Sequence, residues 1–78
     1  MDILERTLRM KISYNNLWKI LIDRNMQKKD LIDELGISST TIAKMGKGEK
    51  VSLDVLERIC LYFDCNIGDV ISFEKENK

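Results

Sequence analysis

Residues 31–45 have the sequence LIDELGISSTTIAKM, which carries the signals for two short helices joined by a tight turn. Gly36 follows the first apolar run and supplies the positive φ angle with which many helices end. Ser38 comes two residues later, and its hydroxyl suits an N-cap because it accepts a hydrogen bond from an amide of the first turn. The stretch therefore predicts a helix over about 28–35 and a second helix over about 39–45.

A helix pair of this kind can place its second helix in the major groove of duplex DNA while the first crosses the phosphate backbone. Ser39 and Thr40 begin the second helix with short hydrogen-bonding side chains, and Lys44 lies one turn later on the same face. Such side chains contact base edges or phosphates. The run Ser-Ser-Thr-Thr is also common as capping and solvated surface, so the motif alone leaves both interpretations open.

The flanking sequence predicts three further helices, which gives five in all. Ser52 is the N-cap expected for the fourth helix, and Asn66 is the one expected for a short fifth helix that begins at Ile67. Helical spacing predicts which side chains of the first and fourth helices point inward. They are Tyr14, Leu17, Trp18, Leu21 and Ile22 in the first helix, and Leu53, Leu56, Ile59, Cys60 and Phe63 in the fourth.

The two ends of the chain predict a small antiparallel ribbon. Residues 10–13 (MKIS) and 71–74 (ISFE) both alternate apolar and polar side chains, and a ribbon of this size needs packing on the helices to be stable. Further upstream, Ile3, Leu4 and Leu8 have the spacing of a short helical stripe. The predicted division is an N-terminal extension over 1–11, a domain over 12–73 whose helix pair covers 28–46, and a frayed tail over 74–78.

Composition limits the function. The chain has 78 residues, no Pro and no His, and 44% hydrophobic residues, which indicates one compact helical domain. No segment resembles a membrane span or a signal peptide, so we expect a cytoplasmic protein with no membrane partner. Cys60 and Cys65 lack further ligands and are expected to pack in the core rather than bind metal. With no nucleophile–base pair and no phosphate-cradling glycine loop, neither an enzyme nor a cofactor is predicted.

Charge is distributed unevenly along a chain whose 13 basic and 13 acidic residues cancel. Residues 14–50 contain seven Lys or Arg against five acids, whereas residues 51–78 contain three against six. Phosphate neutralisation supplies much of the affinity of DNA-binding proteins, so zero net charge is unfavourable for that function. The excess of positive charge nevertheless falls where the helix pair falls.

The whole pattern resembles the XRE family, the helix-turn-helix domains of the phage-repressor and Cro type. The matching segments are NLWKILID at 16–23, MQKKDL at 26–31, GIS at 36–38, TIAKMGKG at 41–48, LDVLERIC at 53–60 and NIGDV at 66–70. The resemblance extends from Ile12 to Phe73, about four-fifths of the chain. It implies an all-α, five-helix, lambda-repressor-like DNA-binding domain.

The resemblance also implies a role for individual side chains. The expected phosphate contacts are Lys28, Ser38 and Lys47, and the expected base contacts are Ser39, Thr40 and Lys44. Helix N-termini and backbone amides would support the phosphate contacts. Leu35, Ile37 and Ile42 would hold the two helices at their angle without touching DNA.

These inferences predict a sequence-specific, double-stranded-DNA-binding transcriptional regulator whose recognition helix covers about 38–46. One recognition helix contacts only a few base pairs, so a homodimer is expected, with residues 1–10 and the edge at 70–73 as candidate dimer surfaces. The alternative is a protein–protein interaction module, an antitoxin-like or regulator partner that keeps the fold without strong DNA binding. Zero net charge and the lack of Arg on the recognition helix favour that alternative.

Overall fold

The computed structural model describes residues 10–75, which contain four α-helices, one 3₁₀ turn and two short strands. In chain order the elements are β1 (Met10–Ser13), α1 (Asn15–Asp23), α2 (Lys28–Leu35), α3 (Ser39–Gly46), α4 (Leu53–Phe63), the 3₁₀ turn (Ile67–Asp69) and β2 (Ser72–Lys75). No helix within 10–75 has the length and apolar character needed to cross a bilayer. The predicted stripe of Ile3, Leu4 and Leu8, and residues 76–78 of the tail, lie outside the described residues.

Local capping sets the ends of the helices. The Asp30 carboxylate accepts a hydrogen bond from the Gln27 amide at the start of α2 (2.7 Å), and the Ser52 hydroxyl accepts one from the Val55 amide at the start of α4 (3.2 Å). These side chains satisfy amides that have no partner inside the helix. Asn25, after α1, adopts a left-handed conformation with φ 58°, as its position at a helix end predicts.

The predicted fifth helix is wrong, because residues Ile67–Asp69 form only a single 3₁₀ turn. The amides of Asp69 and Val70 bond to the carbonyls three residues earlier, at 2.9 and 3.0 Å. The Val70 carbonyl accepts a hydrogen bond from the Leu17 amide of α1 (3.2 Å), so the end of the turn is joined to α1. Strand β2 begins two residues later, at Ser72.

One apolar core lies between the four helices. Its buried side chains are Tyr14, Leu17, Leu21, Leu31, Leu35, Ile37, Ile42, Met45, Leu56, Ile59, Phe63 and Val70. Two residues predicted to face inward do not, since Ile22 is 72% exposed and Leu53 is 74% exposed. Each lies at an end of its helix, where the helical spacing continues but no neighbouring element covers the side chain.

The predicted ribbon is present. Strands β1 and β2 pair antiparallel in a register that sets Lys11 opposite Glu74 and Ile12 opposite Phe73. The pairing takes in residues 10–11 of the predicted extension and residues 74–75 of the predicted frayed tail, because each strand satisfies the other's backbone groups. The ribbon also packs on the helices through Ile12, which lies against the core.

Candidate nucleic-acid interface

The turn between α2 and α3 fixes the relative orientation of these helices. Gly36 has φ 74°, and its amide donates to the Ile32 carbonyl (3.1 Å) while the Ile37 amide donates to the Leu31 carbonyl (3.3 Å). This is the pattern of backbone bonds that closes a helix on a left-handed residue. Ile37, which is 1% exposed, then fills the core beneath the turn. The turn is held on one side by backbone bonds and on the other by apolar packing.

Ser38 caps α3 with both of its hydrogen-bonding functions. Its hydroxyl oxygen accepts from the Thr41 amide (3.1 Å), and its hydroxyl group donates to Thr41 Oγ1 (3.0 Å). Both contacts lie within the first turn of α3, so the Ser38 side chain acts as the N-cap of this helix. The backbone amides of the first turn are the donors that remain for an anion at this end of α3.

The exposed face of α3 carries the side chains predicted to contact bases. Ser39, Thr40 and Lys44 are all exposed, and Thr40 and Lys44 are four residues apart, so they share one face. Ala43 lies between them and is also exposed, which the sequence analysis did not single out. Ala43 is three residues from Thr40, and this helical spacing could have placed it on the same face. Its methyl group suits contact with a thymine methyl.

Lys28 and Lys47 lie together at the other end of α3. Lys28 Nζ is 4.4 Å from the centroid of the Trp18 ring, a cation–π contact, and lies 3.8 Å from the position that a Cβ on Gly46 would occupy. Lys47 follows Gly46 directly as the C-cap of α3 and is exposed. The structure therefore places the predicted phosphate contacts at the two ends of α3, with Ser38 at one end and both lysines at the other.

Comparison with known proteins places this geometry in a family. The family model for the Cro/C1-type helix-turn-helix DNA-binding domain matches residues 16–76. The chain belongs to this Cro/C1-type family. It is 30% identical over 63 residues to the uncharacterized HTH-type transcriptional regulator YozG of Bacillus subtilis (strain 168). The match covers 78% of this chain and 75% of that protein.

A solved structure supports the same family. The transcriptional regulator VanUg superposes with a TM-score of 0.82 at 52% sequence identity, over 86% of this chain and 89% of that one. The resemblance to the XRE family is thereby confirmed. The fold of this Cro/C1-type domain differs from the prediction in the fifth helix, in the exposure of Ile22 and Leu53, and in the residues that the ribbon includes.

Arg58 of α4 contacts the helix-turn-helix of this Cro/C1-type domain. Its Nη1 donates to the carbonyl oxygens of Leu35 (3.4 Å) and Gly36 (3.5 Å), and its Nη2 donates to the Asp54 carboxylate (2.8 Å). Basic side chains often bind the free carbonyls at a helix C-terminus. No local pattern indicates that the end of α2 lies beside α4, so sequence analysis missed this role.

Tyr14 contacts the loop that follows α3 of the Cro/C1-type domain. Its side chain is 3% exposed, and its hydroxyl donates to the Glu49 carbonyl at 2.6 Å. Burial raises the pKa of the Tyr14 phenol, and a hydrogen bond from the Val51 backbone acts in the opposite direction. The contact ties the start of α1 to the segment that carries Lys47.

Cys60 and Cys65 are both half-buried free thiols that pack against the core, as predicted. Burial raises the pKa of the Cys65 thiol, and the neighbouring Cys60 adds to this increase. Within residues 10–75 no three His, Cys, Asp or Glu side chains are grouped closely enough to hold a metal ion.

Proposed function

We propose that the chain is a sequence-specific regulator of transcription that binds double-stranded DNA as a homodimer in the cytoplasm, with α3 in the major groove. The observation that carries the proposal is the exposed face of α3, where Ser39, Thr40 and Lys44 lie between groups suited to phosphate at both ends. The names of the two relatives, both called transcriptional regulators, support the regulatory part.

The proposed contacts form two groups: contacts with phosphates position the protein on DNA, and contacts with bases give sequence specificity. Amides at the N-terminus of α3, with Lys28 and Lys47 at its C-terminal end, bind phosphates on either side of the groove and set the depth of the helix. Ser39 and Thr40 then offer hydrogen bonds to base edges, and Lys44 reaches a guanine edge or a phosphate. The proposed function is binding rather than catalysis, because none of these contacts with DNA requires a chemically reacting group.

The homodimer follows from how little one protomer can contact. An α-helix of eight residues is about 12 Å long, so α3 covers only a few base pairs, and this helix has one charged side chain. Two protomers bound about 34 Å apart on a two-fold operator would add their contacts. At the predicted edge of 70–73, Val70 is buried and Phe73 is 60% exposed, so Phe73 is the residue there that offers apolar surface to a partner.

A salt titration tests the proposal. We expect the full chain to bind a labelled duplex with an affinity that falls steeply as salt rises, because binding releases counterions from phosphates. Lys28→Ala and Lys44→Ala should each weaken binding at every salt concentration. The control is Arg24→Gln, which removes the same charge from the far end of α1, where Arg24 lies over the Phe63 ring at 5.3 Å. It should leave the affinity close to that of the wild type.

Absence of binding at low salt would contradict the proposal and favour the protein–protein interaction module. A specific feature would then become relevant, namely a groove of about 480 Å³ beside α4 that includes the exposed Leu53 and Ile67. Equal losses for Lys44→Ala and Arg24→Gln would contradict the placement of α3, because the effect would then come from total charge alone.

A further inference from the structure

The ribbon packs directly against the loop that follows α3. Gly48 has φ +76°, and a Cβ built on it would lie 3.2 Å from the Ile12 carbonyl oxygen of β1. This distance is tighter than most contacts of a Cβ atom, so the backbone of β1 lies close to the loop at a position where glycine leaves room for it. The ribbon is therefore a neighbour of the C-terminal end of α3 and not a separate appendage.

A small polar depression of about 230 Å³ lies where the ribbon, α1 and this loop meet. Lys11 from β1 and Lys47 from the loop both line it, together with Trp18 and Gly46. Lys28 Nζ lies over the Trp18 ring and beside Gly46, so a third ammonium group from α2 borders the same place. Lys11 and Lys47 thus line one depression, and Lys28 contacts Trp18 and approaches Gly46 in the same lining.

An acidic side chain lies in the same lining. Glu74 of β2 is opposite Lys11 in the ribbon register and lines the depression with it. The single negative charge of Glu74 lowers the positive potential at the depression but does not cancel the charges of Lys11, Lys47 and Lys28. The other face of the ribbon presents a matched cation, since alternation puts Lys75 on the side of Phe73, away from Lys11.

We infer that the ribbon is a further DNA-contacting element, with Lys11 binding a backbone phosphate next to the one that Lys47 contacts. The inference rests on the proposed function, because it needs α3 to be at the DNA. Duplex DNA carries one phosphate about every 3.4 Å of each strand, so a surface that extends past Lys47 meets further phosphates. Lys11 supplies the charge where the ribbon extends that surface.

The test compares Lys11→Gln with Lys75→Gln in the full 78-residue chain, using a labelled mixed-sequence duplex of about 30 base pairs, long enough to extend beyond one recognition helix. We expect Lys11→Gln to weaken binding about twofold to fivefold, the size of one exposed ion pair. It should also lower the slope of log affinity against log salt by about 0.9 for each bound protomer, the value for one lost phosphate contact. Lys75→Gln loses the same charge from the same ribbon and should keep the wild-type slope.

A second variant changes the affinity in the opposite direction, which no loss of folding can imitate. Glu74→Gln removes the acid beside Lys11 and should strengthen binding, whereas Glu57→Gln, with the same charge change on α4, should have a smaller effect. Free phosphate is distinguished by exchanging chloride for inorganic phosphate at constant ionic strength. If inorganic phosphate binds the wild type and not Lys11→Gln, while the two proteins bind DNA with the same affinity and the same salt slope, the depression is a site for the free ion and the inference is overturned.

The possible failures are separable. If the wild type binds with salt dependence and responds to Lys28→Ala, but Lys11→Gln and Lys75→Gln behave alike, the ribbon does not contact DNA and the proposed function stands. If the wild type fails to bind duplex DNA at low salt, both the proposed function and this inference fall.

Discussion

At the level of single residues, the adjacent serines Ser38 and Ser39 have different roles. The Ser38 hydroxyl accepts a hydrogen bond from the Thr41 amide and donates one to Thr41 Oγ1, so its side chain stabilises the start of α3. A neighbouring serine, Ser39, is exposed and is one of the predicted base contacts. We therefore expect substitution of Ser38 to change the stability of the protein and substitution of Ser39 to change its binding to DNA.

Ser38→Ala should lower the free energy of unfolding by about 1 kcal/mol, because a first-turn amide of α3 loses its cap. Ser39→Ala should leave stability unchanged or slightly raise it, since Ala has the higher helix propensity. Urea denaturation of the two variants measures the difference. A Ser39→Ala protein that is the less stable of the two would contradict this assignment.

At the scale of elements, α4 supports the helix-turn-helix through Arg58. One guanidinium joins α4 to the carbonyls of Leu35 and Gly36 at the end of α2 and also pairs with Asp54 on its own helix. The pair with Asp54 is exposed and contributes little to stability by itself. The bonds to the turn are the part that bears on the position of α3.

Arg58→Met should lower the free energy of unfolding by about 0.5–1.5 kcal/mol, because it leaves two carbonyls without a partner from the protein. It should also shift the amide NMR signals of Ile37 and Ser38, which follow the turn. Asp54→Asn is the control, since it removes the exposed ion pair and keeps the bonds to the turn. Equal changes in the signals of both variants would show that Arg58 does not position the turn.

The helices and strands also show which structural features can be predicted from the sequence. The bounds of α2 and the caps of α3 and α4 were predicted because they depend on residues three or four apart. The fifth helix was wrong, and the end of that segment is joined to Leu17, more than fifty residues earlier in the chain. The ribbon was predicted from alternation, but its contact with Gly48 was not.

At the scale of the whole molecule, the dependence of stability on alkaline pH follows from three groups. Burial raises the pKa of Tyr14 and Cys65, and the hydrogen bond to Glu34 raises that of Tyr62. Each group is neutral when protonated, so the folded state holds these protons more tightly than the unfolded chain does. The stability that they contribute is present below their ordinary values, 9.0 for Cys65 and 10.0 for the tyrosines, and is lost as pH rises through the folded pKa values.

The free energy of unfolding, measured with urea under reducing conditions, should therefore fall between about pH 9 and about pH 11. Tyr14→Phe should reduce the steepness of this fall, because it removes the buried phenol. It should also lower stability at neutral pH by about 1 kcal/mol through loss of the bond to the Glu49 carbonyl. A wild-type curve that stays flat above pH 9 would contradict the prediction.

The helix pair at 31–45, its caps and its family resemblance could be predicted from the sequence alone. These features depend on side chains close together in the chain, where spacing fixes geometry. Three contacts became evident only in the folded chain: Arg58 bonds to the turn, Lys28 lies near Gly46 at the end of α3, and Lys11 and Lys47 line the same depression. These contacts join residues far apart in the chain, and their distances depend on how the core packs the helices.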